Sequence, residues 1–236
     1  MNRKFFMLLA ASVSRATSRI YIYDFLSARW SRGAHTPNIR YLYAYAACSS
    51  TGRIYFAGRH DEHDNDLATA EAYDLDEDKW EVLPPMSEPR IHCHGVCTGG
   101  KFMVIGGGAG ESSADVFDPR EGRWTRLENM WSIERRFKSR MPSFCSGPLH
   151  ALYKGSVMKY ESGKNIWTEV ASLPLKYPLQ FQHGSSVTQW YGWLFVSLWA
   201  SNWADNVSYL VHLESGRTVT FQSGQTILGD VTTLEI

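Results

Sequence analysis

Two short runs carry residue types that bind metals. His60-Asp61-Glu62-His63-Asp64-Asn65-Asp66 gathers imidazoles and carboxylates, donors that suit hard and borderline cations. It lacks the glycine and the terminal bidentate glutamate of an EF-hand loop, so it reads as a solvated connection between strands, placed to touch a partner. His92-Cys93-His94-Gly95-Val96-Cys97 combines thiols with imidazoles, which are zinc's preferred ligands. On a strand, alternation sends Cys93, Gly95 and Cys97 to one face and His92 and His94 to the other. Four ligands cannot then converge on one ion, and the expectation is buried small thiols. The basic run Glu134-Arg135-Arg136-Phe137-Lys138-Ser139-Arg140 has the composition of a nucleic-acid contact or a localisation tag, and reads as a solvated loop. No nucleophile elbow, phosphate loop or isolated carboxylate pair supplies an acid, a base or a nucleophile. No catalytic residue, metal or other cofactor is expected.

A more regular signal is a series of cations. Arg40 and Arg90 each follow a tryptophan, Trp30 and Trp80, by ten positions; Arg135 and Lys176 stand at nearly the same interval after Trp124 and Trp167. An arginine's planar fork makes bidentate bonds to carboxylates and stacks on rings such as the neighbouring Tyr41. If each cation sits where one repeat hands over to the next, the four ring one end of a channel and receive an acidic protein segment. Arg59, His60 and His92 complete this candidate partner surface. The alternative role for the series is hydrogen bonding between neighbouring repeats, and the two are not exclusive.

The tryptophans belong to a repeat. Four segments share an aromatic residue, an acid, five further residues and Trp: Tyr23-Asp24 to Trp30, Tyr73-Asp74 to Trp80, Phe117-Asp118 to Trp124 and Tyr160-Glu161 to Trp167. The period of about 45 residues is that of kelch propeller blades. Inside each copy the polar stretches DLDEDKW, DPREGRW and ESGKNIW form a turn between two strands, the Trp opening the outer one. Upstream, Lys101 to Ile105 before Gly106-Gly107-Gly108 is a buried strand that ends where backbones crowd. Arg53 to Ala57 before Gly58 repeats it, as does Phe5 to Leu9. Tyr45 to Ser49, Ile91 to Cys97 and Gly184 to Gln189 supply a first strand. Ser208 to His212 and Thr218 to Phe221 form a fifth copy without its Trp.

The expected fold is therefore all-β, a kelch-type β-propeller with four-stranded blades. About five blades are recognisable, the first incomplete, because only stacking around an axis buries both faces of such sheets. They form a single domain over 1–236, with approximate blades 5–35, 36–85, 86–130, 131–175 and 176–222, and 223–236 as a closing strand.

Composition agrees. Hydrophobic residues are 44% and charged residues 20% of the 236, enough apolar material for a large core. Aromatics at 14% favour strands. The formal net charge of zero removes the attraction that nucleic-acid binding requires. No apolar stretch approaches the roughly 20 residues of a membrane-spanning helix, so neither nucleic acid nor membrane is an expected partner. Four cysteines, Cys48, Cys93, Cys97 and Cys145, show no disulfide-scaffold spacing, which suits the cytoplasm or nucleus. The start, Asn2-Arg3-Lys4 before Phe5 to Ala11, imitates a secretory signal, the minor alternative to a strand.

The strings IYIYDFLSARWSRGAHTPNIR from Ile20, GRHDEHDNDLATAEAYDLDEDKW from Gly58 and EPRIHCHGVCTGGKFMVIGGG from Glu88 are similar in order and spacing to the plant F-box/kelch-repeat family. The resemblance covers residues 5 to 170. It implies a propeller that holds a target protein for a Skp–cullin ubiquitin ligase and so promotes its degradation. An F-box would precede the first blade, whereas this chain opens within a blade, so a Skp-type adaptor is a partner only if an upstream F-box exists. A free-standing kelch scaffold is the alternative. Since propellers also host enzymes, a mutarotase-like site built from scattered channel residues is a further one.

Overall fold

The computed structural model describes residues 7–8, 19–24, 27–37, 44–58, 60, 63, 65–91, 93–109, 112–131, 143–175, 182–200 and 206–222. The regular structure among them is all strand, in antiparallel sheets. The first sheet has three strands, β1 (Met7–Leu8), β2 (Arg19–Asp24) and β3 (Arg29–His35). Four-stranded sheets follow. The second is β4 (Ala44–Cys48), β5 (Arg53–Ala57), β6 (Ala70–Asp74) and β7 (Lys79–Leu83). The third is β8 (His94–Thr98), β9 (Lys101–Ile105), β10 (Ala114–Asp118) and β11 (Arg123–Leu127). The fourth is β12 (Ser143–Cys145), β13 (His150–Tyr153), β14 (Ser156–Glu161) and β15 (Ile166–Ser172), and the fifth β16 (Gln182–Trp190), β17 (Trp193–Ala200), β18 (Asn206–His212) and β19 (Thr218–Gln222). Strands pair in chain order within every sheet, the meander of a propeller blade, so the fold is the expected kelch-type β-propeller. The apolar run at the start supplies β1, with Met7 opposite Ile22 and Leu8 opposite Tyr21.

The constant spacing of the motif has a local cause. Its aromatic and its Trp lie directly opposite each other across a hairpin: Tyr23 and Trp30, Tyr73 and Trp80, Phe117 and Trp124, Tyr160 and Trp167. Their ring centroids are 5.0, 5.2, 5.2 and 5.1 Å apart, within the range of favourable tilted pairs. The acid next to the aromatic caps the turn. Asp74 Oδ1 accepts from the Asp76 and Glu77 N–H groups, and Asp118 Oδ1 from that of Arg120, the side-chain turn that makes Asp common at such sites. Two positions before each Trp the backbone is left-handed, at Ala28, Asp78, Gly122 and Asn165 with φ 53°, 52°, 66° and 53°. Glycine, asparagine and aspartate tolerate that region and alanine does so at a cost.

The tryptophans also reach back. Trp80 Nε1 donates to the Ala34 carbonyl at 3.1 Å, Trp124 to Pro84 at 2.7 Å and Trp167 to Met130 at 2.8 Å. Each ring therefore closes its own hairpin and fastens it to a segment some forty residues upstream. Trp30 is 56% exposed.

The strands cluster into two compact units, one up to Asn129 and one from Met130. The core of the first joins Tyr55, Ala57 and Ala72 of the second sheet to Phe102, Val104 and Phe117 of the third. Tyr55 and Phe102 stack at 5.3 Å, and burying a ring such as Phe102 stabilises by roughly 2–3 kcal/mol. The second unit's core contains Val157, Leu194, Val196, Tyr209 and Val211.

The cysteines divide. Cys93 is a buried thiol, as expected, and Cys145 is buried as well. Cys97 is not a thiol: it is disulfide-paired with Cys48, with Cα atoms 5.5 Å apart. The correction has a simple reason, since β4 and β8 open consecutive sheets and lie face to face. A Cβ added to Gly95 of β8 would come within 2.7 Å of the Tyr45 backbone in β4, an approach that only glycine allows.

Candidate interaction surface

Because strands alternate in direction, each blade has two ends. In the second sheet, residues 49–52 and 75–78 turn at one end. The connection 58–69 and the linker that follows Leu83 lie at the other, and the linker is woven into its neighbours by backbone bonds. Met86 and Arg90 donate to the Ala68 and Leu67 carbonyls, while Ile91 donates to Gly107 on the third sheet. Two glycines permit this crossing. A Cβ on Gly58 (φ 72°) would come within 2.7 Å of the Arg90 carbonyl, and one on Gly107 (φ 72°) would overlap that of Ile91.

Arg90 sits at the centre of the crossing with 0% exposure. Its Nε donates to Asp115 Oδ2 at 2.7 Å, Nη1 to the Gly106 carbonyl at 2.8 Å and Nη2 to Ser113 Oγ at 3.0 Å. Asp115 is itself 0% exposed, and Ser87 Oγ donates to the same Oδ2 at 3.1 Å. The Arg90 side chain thus bonds within the third blade while its backbone N–H donates to Leu67 of the second, so of the two roles read from the cation series it takes the structural one. Its inclusion in an open partner surface is corrected, because a desolvated fork with its donors engaged has nothing to offer an incoming carboxylate. The buried acid recurs as well. Glu71, 1% exposed, is the second residue of β6 as Asp115 is of β10.

Two residues absent from the sequence reading stand at the rim of this network. Arg126, on β11, contacts Glu88 Oε1 at 2.7 Å, with side-chain exposures of 28% and 18%, and donates to Ser87 Oγ at 3.2 Å. Alternation along β11 after Trp124 was the signal that would have placed Arg126 there. The glutamates at 88 and 128 together outweigh burial and hold its guanidinium above the ordinary value, the Glu128 hydrogen bond being the largest influence.

His60, in the connection 58–69, pairs its Nδ1 with Asp66 Oδ1 at 3.1 Å across an isolated bridge. It is half-buried, and Asp66 is exposed. Among the described residues no three His, Cys, Asp or Glu side chains gather as metal ligands. Arg40, Tyr41, Arg59, His92, Arg135 and Lys176 lie outside the described residues.

At the opposite end, the hairpin turns of the second and third sheets border a cleft of about 420 Å³. Arg53, Lys101 and Arg120 bring cations to it, Ser50 and Tyr55 hydroxyls, and Asp118 a carboxylate. Lys101 Nζ lies 2.8 Å from Asp118 Oδ2, and this bond, with the turn N–H groups, holds the Asp118 carboxyl below its usual range. Burial works against the Arg53 charge, but Glu81 and Asp74 outweigh it and raise its pKa. Charges locked this way keep their state across neutral pH, the opposite of what proton transfer asks of an acid or base.

Residues 42–87 and 89–130, the two blades that carry both ends described above, match the Kelch motif family. These two blades are kelch repeats. The F-box/kelch-repeat protein At2g44130 of Arabidopsis thaliana is 35% identical over 123 residues, covering 49% of this chain and 30% of the relative. F-box/kelch-repeat protein SKIP20 of the same plant is 35% identical over 125 residues, covering 48% and 30%. F-box/kelch-repeat protein At1g80440, also of Arabidopsis, is 32% identical over 168 residues, covering 68% and 47%. The chain thus spans about a third to a half of the length of the curated relatives it matches. These matches support a likeness to the kelch portion of the plant F-box/kelch-repeat family, as the strings from Ile20, Gly58 and Glu88 implied, and a role in protein interaction.

Proposed function

We propose that this chain binds a segment of a target protein through the loops at the linker end of its blades. Joined to an F-box, it acts as the substrate-recognition part of a ubiquitin ligase receptor that promotes degradation of the target. The observation that carries the reading is the match of two consecutive kelch blades to relatives named for an F-box and kelch repeats together. Physical chemistry supports the interaction half. At the described blade ends Arg53, Lys101, Asp118, Glu88 and Arg126 are held in ion pairs rather than poised for proton transfer, and the thiol at Cys145 is pushed up to about 12 by burial, which makes it inert.

The loop candidates are Arg40, Tyr41, Arg59, His60, His92, Arg135 and Lys176. Arg90 is excluded by its burial.

The test compares three proteins in affinity capture and reconstituted ubiquitin transfer: this chain, an F-box alone, and the two joined. The chain alone and the joined protein are expected to capture the same target. Only the joined protein should bind a Skp-type adaptor and ubiquitinate that target. Identical capture by the F-box alone would sink the proposal. Replacing Arg59 and His60 by Ala should weaken capture severalfold with an unchanged Tm.

A further inference from the structure

Two strands that open consecutive blades face each other through a pair of cysteines, an arrangement independent of any ligase role. Cys48 is the last residue of β4 and Cys97 the next to last of β8. Their Cα separation of 5.5 Å lies at the commonest value for a disulfide. The bond closes a loop with a sequence separation of 49, long enough to restrict the unfolded chain substantially.

The junction it crosses is already held by other means. Trp124 donates to Pro84, Arg90 binds Asp115, and Tyr55 stacks on Phe102. The two blades therefore have reason to stay folded when the bond is open, and Cys48 and Cys97 as thiols are small apolar groups in the same core. A route to the pair also exists. Ser50 Oγ lies 3.5 Å from Cys48 Sγ, and Ser50 borders the cleft at this end of the blades. Cys97 keeps 8% exposure against 1% for Cys48.

We infer that Cys48 and Cys97 form a reversible thiol–disulfide site that exchanges with a low-molecular-weight thiol couple such as glutathione and sets how firmly the second and third blades are joined. In the oxidising direction a thiolate of the pair attacks glutathione disulfide and expels one glutathione thiolate. The second cysteine then attacks the mixed disulfide and expels the other. Two thiols of the protein are oxidised, one glutathione disulfide is reduced to two thiols, and the two protons pass to the departing thiolates.

The whole chain would be equilibrated in glutathione buffers of graded reduced-to-oxidised ratio, quenched by alkylation while folded, and read by peptide mass and thermal melting. Cys48 and Cys97 should lose alkylation together along the series, the intact protein losing the mass of two hydrogens. The oxidised form should melt higher by about 5–10 °C. C48S/C97S should fold, melt like the reduced protein and ignore the ratio. Alkylation of both residues throughout the series would overturn the inference, as would a bond that resists reduction until the chain unfolds. So would a Tm dependence on the ratio that persists in C48S/C97S.

Discussion

In the first unit a residue ahead of the third sheet is anchored by charge, and in the second unit a residue ahead of the fourth sheet is anchored by rings. In the first, a guanidinium and a carboxylate, both 0% exposed, are linked beneath a rim of Glu88 and Arg126. In the second unit Trp131 is buried at 0% and meets Phe144, Tyr153 and Trp167 edge-on at 5.7, 5.3 and 4.9 Å. The Trp-to-carbonyl bond is common to both regions, through Trp124 and Trp167. The repeat thus prescribes the hairpin and its fastener, while what lies beneath can be ionic or aromatic. An ionic anchor has high stakes: a complete buried pair adds modest net stability, but half of one is strongly destabilising. An aromatic anchor fails more gradually, by cavity.

The largest effect should come from breaking the ionic anchor. Arg90→Ala leaves Asp115 buried without its cation and should lower unfolding free energy by roughly 3–5 kcal/mol, read by urea titration. Replacing both members with apolar residues, Arg90→Met with Asp115→Leu, should recover most of that loss. A double variant as unstable as the single one would show that the pair itself, and not the orphaned charge, carries the stability.

Trp131→Ala is the matching test of the aromatic anchor and should cost about 3–4 kcal/mol. Its effect should shrink when a larger apolar residue such as Leu is placed there instead, a graded response that the ionic site lacks.

A smaller difference separates the shared fasteners. Trp→Phe keeps a ring and removes the indole donor. At Trp167, where the bond to Met130 is buried, the change should cost about 1–2 kcal/mol; at Trp124, where the bond to Pro84 is exposed, water replaces it and the cost should be well under 1 kcal/mol. Equal losses in thermal melts would refute that reading.

The second unit also holds a buried histidine, His150, whose protonation is linked to folding. Burial lowers the pKa of His150 below its ordinary 6.5, against the opposing influence of the Pro148 carbonyl. The unfolded chain therefore binds the proton more readily than the folded one. Stability contributed by the neutral ring is complete above pH 6.5 and falls as pH drops through the folded value. His150→Gln should flatten that part of the Tm–pH curve. The smallest effect belongs to the exposed pair at the cleft: in Lys101→Ala, the Asp118 carboxyl should titrate higher by NMR, with no measurable change in Tm.

Part of this was legible before any coordinates. The cation series pointed both to a partner surface and to bonds between repeats, and residue type could not choose between them, because an arginine's role depends on whether its surroundings are dry. The thiol pairing was hidden for a related reason. Alternation along β8 sets Cys97 and His94 on opposite faces, but nothing along one strand tells what stands across from it.

What the amino-acid order determined by itself was the hairpin unit and its recurrence. Aromatic, capping acid, left-handed turn position and Trp are neighbours in one short segment, so their geometry follows from local sterics and cross-strand contact. Tertiary structure decided the fate of residues whose partners lie far along the chain. Arg90 and Asp115 are separated by 25 positions and Cys48 and Cys97 by 49, so only the folding of the linker onto the third sheet made a candidate surface cation into a buried anchor, and only the packing of one blade on the next made two scattered thiols into a pair.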